Sequence, residues 1–404
     1  MKKIITIIIV FVLLIVFTGL SIYYYKEIHY DKFDIPDDVI FEYNNEVDVF
    51  SDVKYFSLIS NNNIDILSND EKVNTDTTGT KTKIISFKYN KKKYFLKMNV
   101  NVKDVTEPLV LSYQPTITTT KMNVAYPCDN ALYIDDYDNK PSCTINGDVS
   151  YDQVGTYPLK MTISDKAGNA IEKDVTIKVV EMGQKKSSSS NNKPTPIQFS
   201  DVLSKYKNDS TMIGIDVSKW QGNIDFEQVK NAGCEFVIIR IGVQAGRNYD
   251  YNVDGNYKTY IEGAKIAGLK VGVYVYTTAL NFSDGVKAAD FVIKTLNGES
   301  LDLGVAYDWE NYQYLRGYEV SLHDLCDGYK GFKERLSKAG IDAHFYASKY
   351  YLEKFWIYID EPVWLAHYAS ETTYQGNYYM WQITGNGKID GINDNYVDID
   401  ILYK

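Results

Sequence analysis

Hydrophobic and polar residues change their pattern several times along the 404-residue chain. Residues 1–26 begin with Lys2 and Lys3 and continue as an apolar run of about 19 residues, roughly the length that spans a bilayer. Three tyrosines at positions 23–25 follow, where the aromatic residues of a membrane interface lie. A cleaved signal peptide is the alternative, but the run ends without a small-residue cleavage site. We therefore predict a transmembrane anchor, which binds the cytoplasmic membrane and leaves the later domains outside the cell.

Short alternating segments broken by turns follow the apolar run. Two stretches, beginning at Asp76 and Asp152, share one layout of a Gly-Thr turn, a strand, a polar tip and a final strand. This repeat predicts two all-β sandwich modules, at residues 34–107 and 108–182. The motif GTYPLKMTISDKAGNA in the second module resembles the immunoglobulin-like repeats of bacterial surface proteins, and the first module departs further from them.

Residues 183–199 lose all apolar periodicity, and their Ser, Asn, Lys and Pro content predicts a linker. Beyond it, apolar runs alternate with helix-like stretches, several of which end in Ala-Gly, a common helix stop. The last three apolar runs follow one another with little helix between them. This pattern predicts an α/β barrel over residues 211–404, in which reacting groups lie where strands end.

Composition narrows the choice of partners. The net charge of −10 does not favour nucleic-acid binding, which usually requires a basic patch. The four histidines have no metal-ligand spacing, so we expect neither a metal nor another cofactor. Cys128 and Cys143 lie close together in one β-rich region and could form a disulfide, whereas Cys234 and Cys326 read as buried free thiols. All five tryptophans fall in the last domain, as core residues or as flat surfaces for sugar rings.

The stretch GVAYDWENY places two carboxylates, Asp308 and Glu310, at the end of an apolar strand. Residues at positions i and i+2 of a strand point to one face, so these two carboxylates are crowded. Crowding and burial should keep one of the acids protonated at about pH 6–7. Glycoside hydrolysis requires such a split between two acids. Acid pairs on strands are more often solvated faces, but Asp216 ends the first strand and Asp398 lies in the last. In a closed barrel these two strands are neighbours, so four acids could share one mouth.

Several motifs together resemble glycoside hydrolase family 25, the Chalaropsis-type lysozymes. The opening GIDVSKWQGNIDFEQVKNAGCEFVIIRIG is followed in order by YDWE, HFYAS, VWLAHYA and MWQITGNGKIDGINDNYVDID. The resemblance covers about residues 211–404. It implies a flattened (β/α)5β3 TIM-like barrel and an N-acetylmuramidase that cleaves the β-1,4 bond between N-acetylmuramic acid and N-acetylglucosamine in peptidoglycan.

The resemblance also implies roles for individual residues. Glu310 matches the general acid, and Asp308 matches the carboxylate that orients the substrate's N-acetyl group in substrate-assisted displacement. The other matching positions are two supporting acids, Asp216 and Asp398, and a substrate-binding lining of Tyr274, Tyr346, Trp364 and Gln382, for which core packing is the alternative. Arg240 would neutralise the acids or form a salt bridge at the rim. The sequence departs from the family at Asp400, where Asn is usual, and at YVY, where the family has Tyr-His-Phe.

The combined prediction is a membrane-anchored, cell-surface muramidase whose β-modules act as a stalk or bind wall polymers. One alternative is a glycan-binding scaffold of a surface assembly, in which the barrel docks without cutting. Another is a glucosaminidase of chitinase-like type, which would leave different reducing ends.

Overall fold

The computed structural model describes residues 38–42, 47–48, 65–67, 72–73, 77–89, 92–183, 195–244, 246, 250–393 and 396–404. The anchor predicted at residues 1–26 and most of the predicted linker lie outside these residues. Within them, no helix combines the length and the apolar character needed to cross a membrane. The chain forms two compact units, residues 1–106 with 167–169, and residues 107–166 with 170–404.

The first unit contains six described strands: β1 (Asp38–Glu42), β2 (Val47–Asp48), β3 (Asp65–Ile66), β4 (Lys72–Val73), β5 (Gly79–Tyr89) and β6 (Lys92–Lys103). Strands β5 and β6 form a long antiparallel hairpin. In the resulting sheet, β1 pairs in parallel with β6, and β3 pairs with β5. Strands β2 and β4 form a separate antiparallel pair.

The second unit begins with another group of short strands: β7 (Leu109–Ser112), β8 (Thr116–Thr120), β9 (Leu132–Ile134), β10 (Ser142–Asn146), β11 (Gly155–Ser164) and β12 (Ala170–Val180). A 3-10 helix spans Pro127–Asn130. The sheet order is β10-β11-β12-β8, with β8 parallel to β12, and β7 and β9 form a separate antiparallel pair. Cys128 and Cys143 are joined by a disulfide.

The expectation of two immunoglobulin-like sandwiches is therefore corrected. That fold needs about seven strands in two antiparallel sheets. The described residues of each module form one four-stranded sheet and one two-stranded pair, and each four-stranded sheet includes a parallel pairing. Alternation along a strand shows which side chains are buried, but it does not set the direction of the neighbouring strand.

The remaining strands are β13 (Ile197–Gln198), β14 (Thr211–Val217), β15 (Phe236–Gln244), β16 (Tyr251–Val253), β17 (Lys270–Tyr276), β18 (Val305–Asp308), β19 (Ala343–Ser348), β20 (Val363–Ala366), β21 (Tyr378–Lys388) and β22 (Val397–Tyr403). The α-helices are α1 (Phe199–Tyr206), α2 (Phe226–Asn231), α3 (Tyr257–Ile266), α4 (Phe282–Leu296), α5 (Leu315–Tyr318), α6 (Leu322–Ser337) and α7 (Lys349–Lys354). Two further 3-10 helices span Lys219–Gln221 and Tyr312–Tyr314.

Eight of these strands close into a ring in the order β14-β15-β17-β18-β19-β20-β21-β22. All seven residues of β14 are buried, as expected for a strand covered on both faces. Neighbours from β14 to β21 run parallel, and β22 closes the ring antiparallel to both β21 and β14. Strand β13 adds to β21, and β16 pairs with β15.

The expectation of a (β/α)5β3 TIM-like barrel is also wrong. The ring is a closed β-barrel-like sheet with few helices. The sheet is mixed, because its last strand, β22, is antiparallel to both of its neighbours. Helices α2 and α7 have only six residues each, too few to cover a strand in the manner of a βα unit. Of the described helices between ring strands, only α3, α4 and α6 reach ten residues.

Two sets of contacts position the elements around the ring. Helices α4 and α6 approach so closely that a Cβ on Gly285 would lie 1.7 Å from the carbonyl oxygen of Gly328. The second β-module also contacts the ring domain within the same unit. The backbone N–H groups of Leu322 and His323 donate to the carbonyl oxygens of Asp135 and Asp136, at 2.9 and 3.1 Å.

Candidate functional site

Five acidic residues meet at one edge of the closed sheet. Asp216 is the second-last residue of β14, Asp308 ends β18, and Glu310 follows two residues later. Because β22 is antiparallel, its first residues lie at the edge where the parallel strands end, and Asp398 pairs directly with Asp216. Asp400 lies two residues further along the same face of β22, opposite Gly214. The strand-end rule therefore brings together all four acids predicted from the sequence, with Asp400 in addition.

Gln382 links the acids to the aromatic side chains through a directional set of hydrogen bonds. Its amide nitrogen donates to Asp216 Oδ2 at 2.7 Å. Its amide oxygen accepts hydrogen bonds from the hydroxyls of Tyr346, at 3.0 Å, and Tyr368, at 3.1 Å. Two donors on the oxygen leave the NH₂ group facing Asp216, so the amide has one orientation. Gln382 thus holds Asp216 in place from inside the sheet.

Asp308 and Glu310 differ in their surroundings, although they are two residues apart. Asp308 is buried, and its Oδ1 accepts no hydrogen bond among the described residues. Burial raises the pKa of Asp308, the charges of Glu310 and Asp216 raise it further, and Arg240 opposes them. Glu310 reaches solvent at the mouth of the ring, but the protein around it still raises the pKa of its carboxyl. Glu310 can therefore hold a proton where a substrate can reach it.

The two acids of β22 also favour their protonated forms. Burial and then the charge of Asp216 raise the pKa of Asp398 to about 8. Asp400 is fully buried, and burial followed by the charge of Asp398 raises its pKa. Trp364 donates its indole N–H to Asp400 Oδ1 at 2.9 Å, whereas Oδ2 has no partner in the described part of the chain. A neutral carboxyl at Asp400 is consistent with this burial, because an unpaired buried charge is costly.

Arg240 does not bind the acid cluster directly. Its guanidinium holds Asp254, with Nε and Nη2 at 2.9 and 2.7 Å from Asp254 Oδ2, and both side chains are largely buried. This is a buried ion pair that sequence reasoning missed, since Asp254 follows the short strand β16 in a turn. The positive charge of Arg240 still lowers the pKa of Asp308 and of Tyr274. Arg240 thus forms a buried salt bridge, not one at the rim, and acts on the acids through its charge alone.

The aromatic residues predicted to line the site form a packed wall. Trp364 is buried, with edge-to-face contacts to Tyr346 at 4.7 Å and Tyr274 at 6.3 Å between ring centroids. Its indole therefore supports the wall from behind, whereas Tyr274 and Tyr346 are only partly buried. Sequence reasoning missed two further tyrosines, Tyr276 and Tyr368. Tyr276 could have been found from its place at the end of β17, where it pairs with Asp308.

The site offers carboxyl, amide and phenol groups, which suit the proton transfers and hydrogen bonds of acid catalysis. Among the described residues, the acids of this cluster do not form a group whose ligand atoms lie close enough together to hold a metal ion. We assign no metal or cofactor to this group of residues.

Comparisons with known proteins agree with this arrangement. The family model described as "Glycosyl hydrolases family 25" matches residues 215–392. Among curated proteins, the chain is 32% identical over 192 residues to the "Autolytic lysozyme" of Clostridium acetobutylicum, covering 47% of this chain and 55% of that protein. It is 27% identical over 194 residues to "Lysozyme M1" of Streptomyces globisporus, covering 45% of this chain and 64% of that protein. The chain thus spans between about half and two thirds of these relatives.

Solved structures show a weaker likeness. A family 25 glycosyl hydrolase from Bacillus anthracis is 19% identical, with a TM-score of 0.42, over 49% of this chain and 92% of that chain. The spore cortex lytic enzyme SleM of Clostridium perfringens is 18% identical, with the same TM-score of 0.42, over 49% and 69% of the two chains. The family model and the curated relatives agree with each other: over residues 215–392 this chain is similar to glycosyl hydrolase family 25.

Proposed function

We propose that the chain is a muramidase that hydrolyses the β-1,4 bond between N-acetylmuramic acid and N-acetylglucosamine in bacterial peptidoglycan. The observation that carries the proposal is Glu310, a carboxyl with a raised pKa that reaches solvent beside the buried acid Asp308. Two curated relatives of the family 25 domain are named as lysozymes, which supports the same substrate. The enzyme would act outside the cytoplasm, at the cell wall.

Glu310 has the position of the general acid, and burial raises the pKa of its carboxyl, which favours the protonated form. It would donate its proton to the glycosidic oxygen as the bond from that oxygen to the sugar C1 breaks. The carbonyl oxygen of the substrate's own N-acetyl group would attack C1 as the leaving oxygen departs, as in substrate-assisted glycosidases. Water would then open the cyclic intermediate, with Glu310, now a carboxylate, accepting a proton from that water.

Asp308 would hold the N-acetyl group in the attacking position. Its free Oδ1 can accept a hydrogen bond from the amide N–H, which makes the carbonyl oxygen a better nucleophile. The positive charge that develops on the N-acetyl group would in turn favour an ionised Asp308. Asp216 would support this pair, because its charge raises the pKa of Asp308. The charge of Glu310 in turn raises the pKa of both Asp216 and Asp398, which places all four acids within electrostatic reach of one another.

Two other functions compete with this one. A barrel that only bound glycan would have no need for Asp308 and Glu310 to be crowded, so their geometry favours an enzyme. A glucosaminidase would use the same acids but cleave the other glycosidic bond of the strand. The roles of the β-modules, as a stalk or as binders of wall polymers or of a surface assembly, stay predictions.

The test is digestion of purified peptidoglycan by the full chain, with new reducing ends identified by mass spectrometry. We expect muramic acid ends, and a loss of at least roughly 100-fold in the Glu310→Gln variant, in line with removal of a general acid. Glu262→Gln, a change of an exposed glutamate on α3, is the matched control and should retain full activity. Glucosamine ends would move the assignment to the glucosaminidase, and binding without cleavage would make the barrel a binding module.

A further inference from the structure

A groove of about 750 Å³ opens beside the acid cluster. One wall consists of α1 and the segment just before it, including Ile197 and Tyr206, and the opposite wall includes Tyr368 and Asn386. The first wall lies outside residues 215–392, the part of the chain that the family model matches. The groove is thus built partly by residues that are additional to the matched domain.

The groove is continuous with the catalytic cleft. Asp398 and Tyr368 line both, and Tyr368 also donates to Gln382 in the acid network. Gly385 forms the floor at the junction, where a Cβ would lie 3.0 Å from Asp398 Oδ1 and 3.0 Å from the Tyr368 hydroxyl oxygen. A side chain at this position would press on both groups, so the glycine keeps the passage open between groove and acids.

The chemistry of the walls suits a sugar ring. Ile197 and Tyr368 are exposed at 38% and 62%, which is unusual for apolar or aromatic side chains that flank a concave site. Pyranose rings carry a flat C–H face that packs on such surfaces and hydroxyls at their edge. Asp201, Lys205 and Asn386 place polar groups around the groove, near where those hydroxyls would lie. Lys205 also donates to the carbonyl oxygen of Ser370, and Asn386 bonds Thr195 and Thr384. The volume lies within the range of about 300–1,000 Å³ that is typical of ligand sites.

We propose that this groove is a subsite for an N-acetylated pyranose unit of the same glycan strand, beyond the bond that is cleaved. The inference rests on the proposed function, because a strand held at the acids must leave the cleft in some direction, and the groove continues the cleft. Binding energy from such remote units can raise the rate at the reacting bond. The groove would therefore make cleavage depend on chain length.

The experiment uses the full chain and a ladder of peptide-free glycan oligosaccharides of two, four, six and eight sugars. We expect kcat/KM to rise in a step at the length that first reaches the groove. Tyr206→Ala and Ile197→Ala should each lower kcat/KM about tenfold at and above that length, so that the step is lost. Tyr206→Phe keeps the ring and should keep the step. Tyr126→Ala, an exposed tyrosine of the second β-module, is the matched control and should behave as the parent.

Tyr206 also has a structural role, since its ring packs against Trp381 and its hydroxyl binds the carbonyl oxygen of Ser370. Thermal unfolding of each variant separates the two roles, and Ile197→Ala tests the groove without these contacts. A parent ladder without a step, or losses equal at all lengths, would overturn the subsite. A loss seen only on peptide-bearing strands would assign the groove to the stem peptide instead.

Failure of the proposed function has a different signature. The parent would then cleave neither the oligosaccharides nor peptidoglycan. Calorimetry of the eight-sugar ligand with Glu310→Gln, alone and combined with Ile197→Ala, still tests the groove in that case. Weaker binding by the double variant supports the subsite, and equal binding overturns it.

Discussion

The pKa of Asp398 leads to a quantitative prediction about stability. The folded protein raises that pKa from its ordinary value of 3.8 to about 8, through burial and the charge of Asp216. Between these two values the folded state keeps a proton that the unfolded chain releases. Stability must therefore fall as the pH rises from about 4 to about 8, because the folded state binds more protons. The shift of about four pH units corresponds to about 6 kcal/mol, at 1.36 kcal/mol for each unit.

Asp398→Asn removes this dependence, since asparagine has a similar shape and does not titrate. The variant should gain stability over the parent by about 1.4 kcal/mol for each pH unit between about pH 5 and 7.5. The assay is urea unfolding at several pH values, followed by tryptophan fluorescence. All five tryptophans lie within residues 211–404, so the signal reports on the domain that contains Asp398.

The control variant is Asp209→Asn, which removes one negative charge from an exposed position of the same domain. The comparison separates a local proton from the general effect of net charge. A stability difference between Asp398→Asn and the parent that stayed constant with pH would refute the reasoning. A difference that shrank as the pH rose would show that the folded state prefers the ionised carboxylate.

Two further predictions concern buried charges near the site. Arg240→Met should lower the free energy of unfolding by about 3–5 kcal/mol, because it leaves Asp254 buried without its partner. Adding Asp254→Asn should restore most of the lost stability. Equal losses in the single and double variants, measured by urea unfolding, would argue against the ion pair. Asp400→Asn should raise stability at neutral pH and keep glycan cleavage, since the amide oxygen can still accept a hydrogen bond from the Trp364 indole N–H. A loss of cleavage above tenfold would instead make the Asp400 carboxyl essential.

The acid cluster could be predicted from the sequence because it depends on strand ends. Asp216, Asp308 and Asp398 each lie where an apolar run meets a loop, and the closed sheet brings such positions together. The fold class could not be predicted to the same degree. An apolar strand such as β22 has the same pattern in either direction, so its antiparallel closure of the ring had no sequence signature. The six-residue lengths of α2 and α7 also escaped the pattern.

Contacts between distant residues were beyond sequence reasoning for a different reason. Arg240 and Asp254 meet because β15 pairs antiparallel with β16, a strand of three residues that no periodicity could mark. Trp364 could equally have been core or sugar platform, and only its burial assigns it to the wall. Composition indicates the kinds of residues that a site needs, but the packing decides which of their faces remain open.

The contacts of the second β-module bear on how large the catalytic unit is. Arg316, on α5 shortly after Glu310, donates to the carbonyl oxygen of Cys128 at 2.8 Å, and Cys128 is held by its disulfide to Cys143. Lys140 of the module bonds Glu319 at 2.6 Å, at the other end of the same short helix. The segment that follows Glu310 is therefore bonded to the module at both ends of α5.

Helix α1 forms a wall of the groove and buries Phe199 and Val202 in the core of the ring domain. The second β-module and α1 both lie outside residues 215–392, the segment that the family model matches. The structural unit around the site is therefore larger than that segment. A fragment of residues 200–404 would lack Cys128 and Lys140, the partners of Arg316 and Glu319. Glycan cleavage by this fragment would therefore report on a site whose neighbouring segment has lost these contacts. A module that served only as a stalk would not need such contacts.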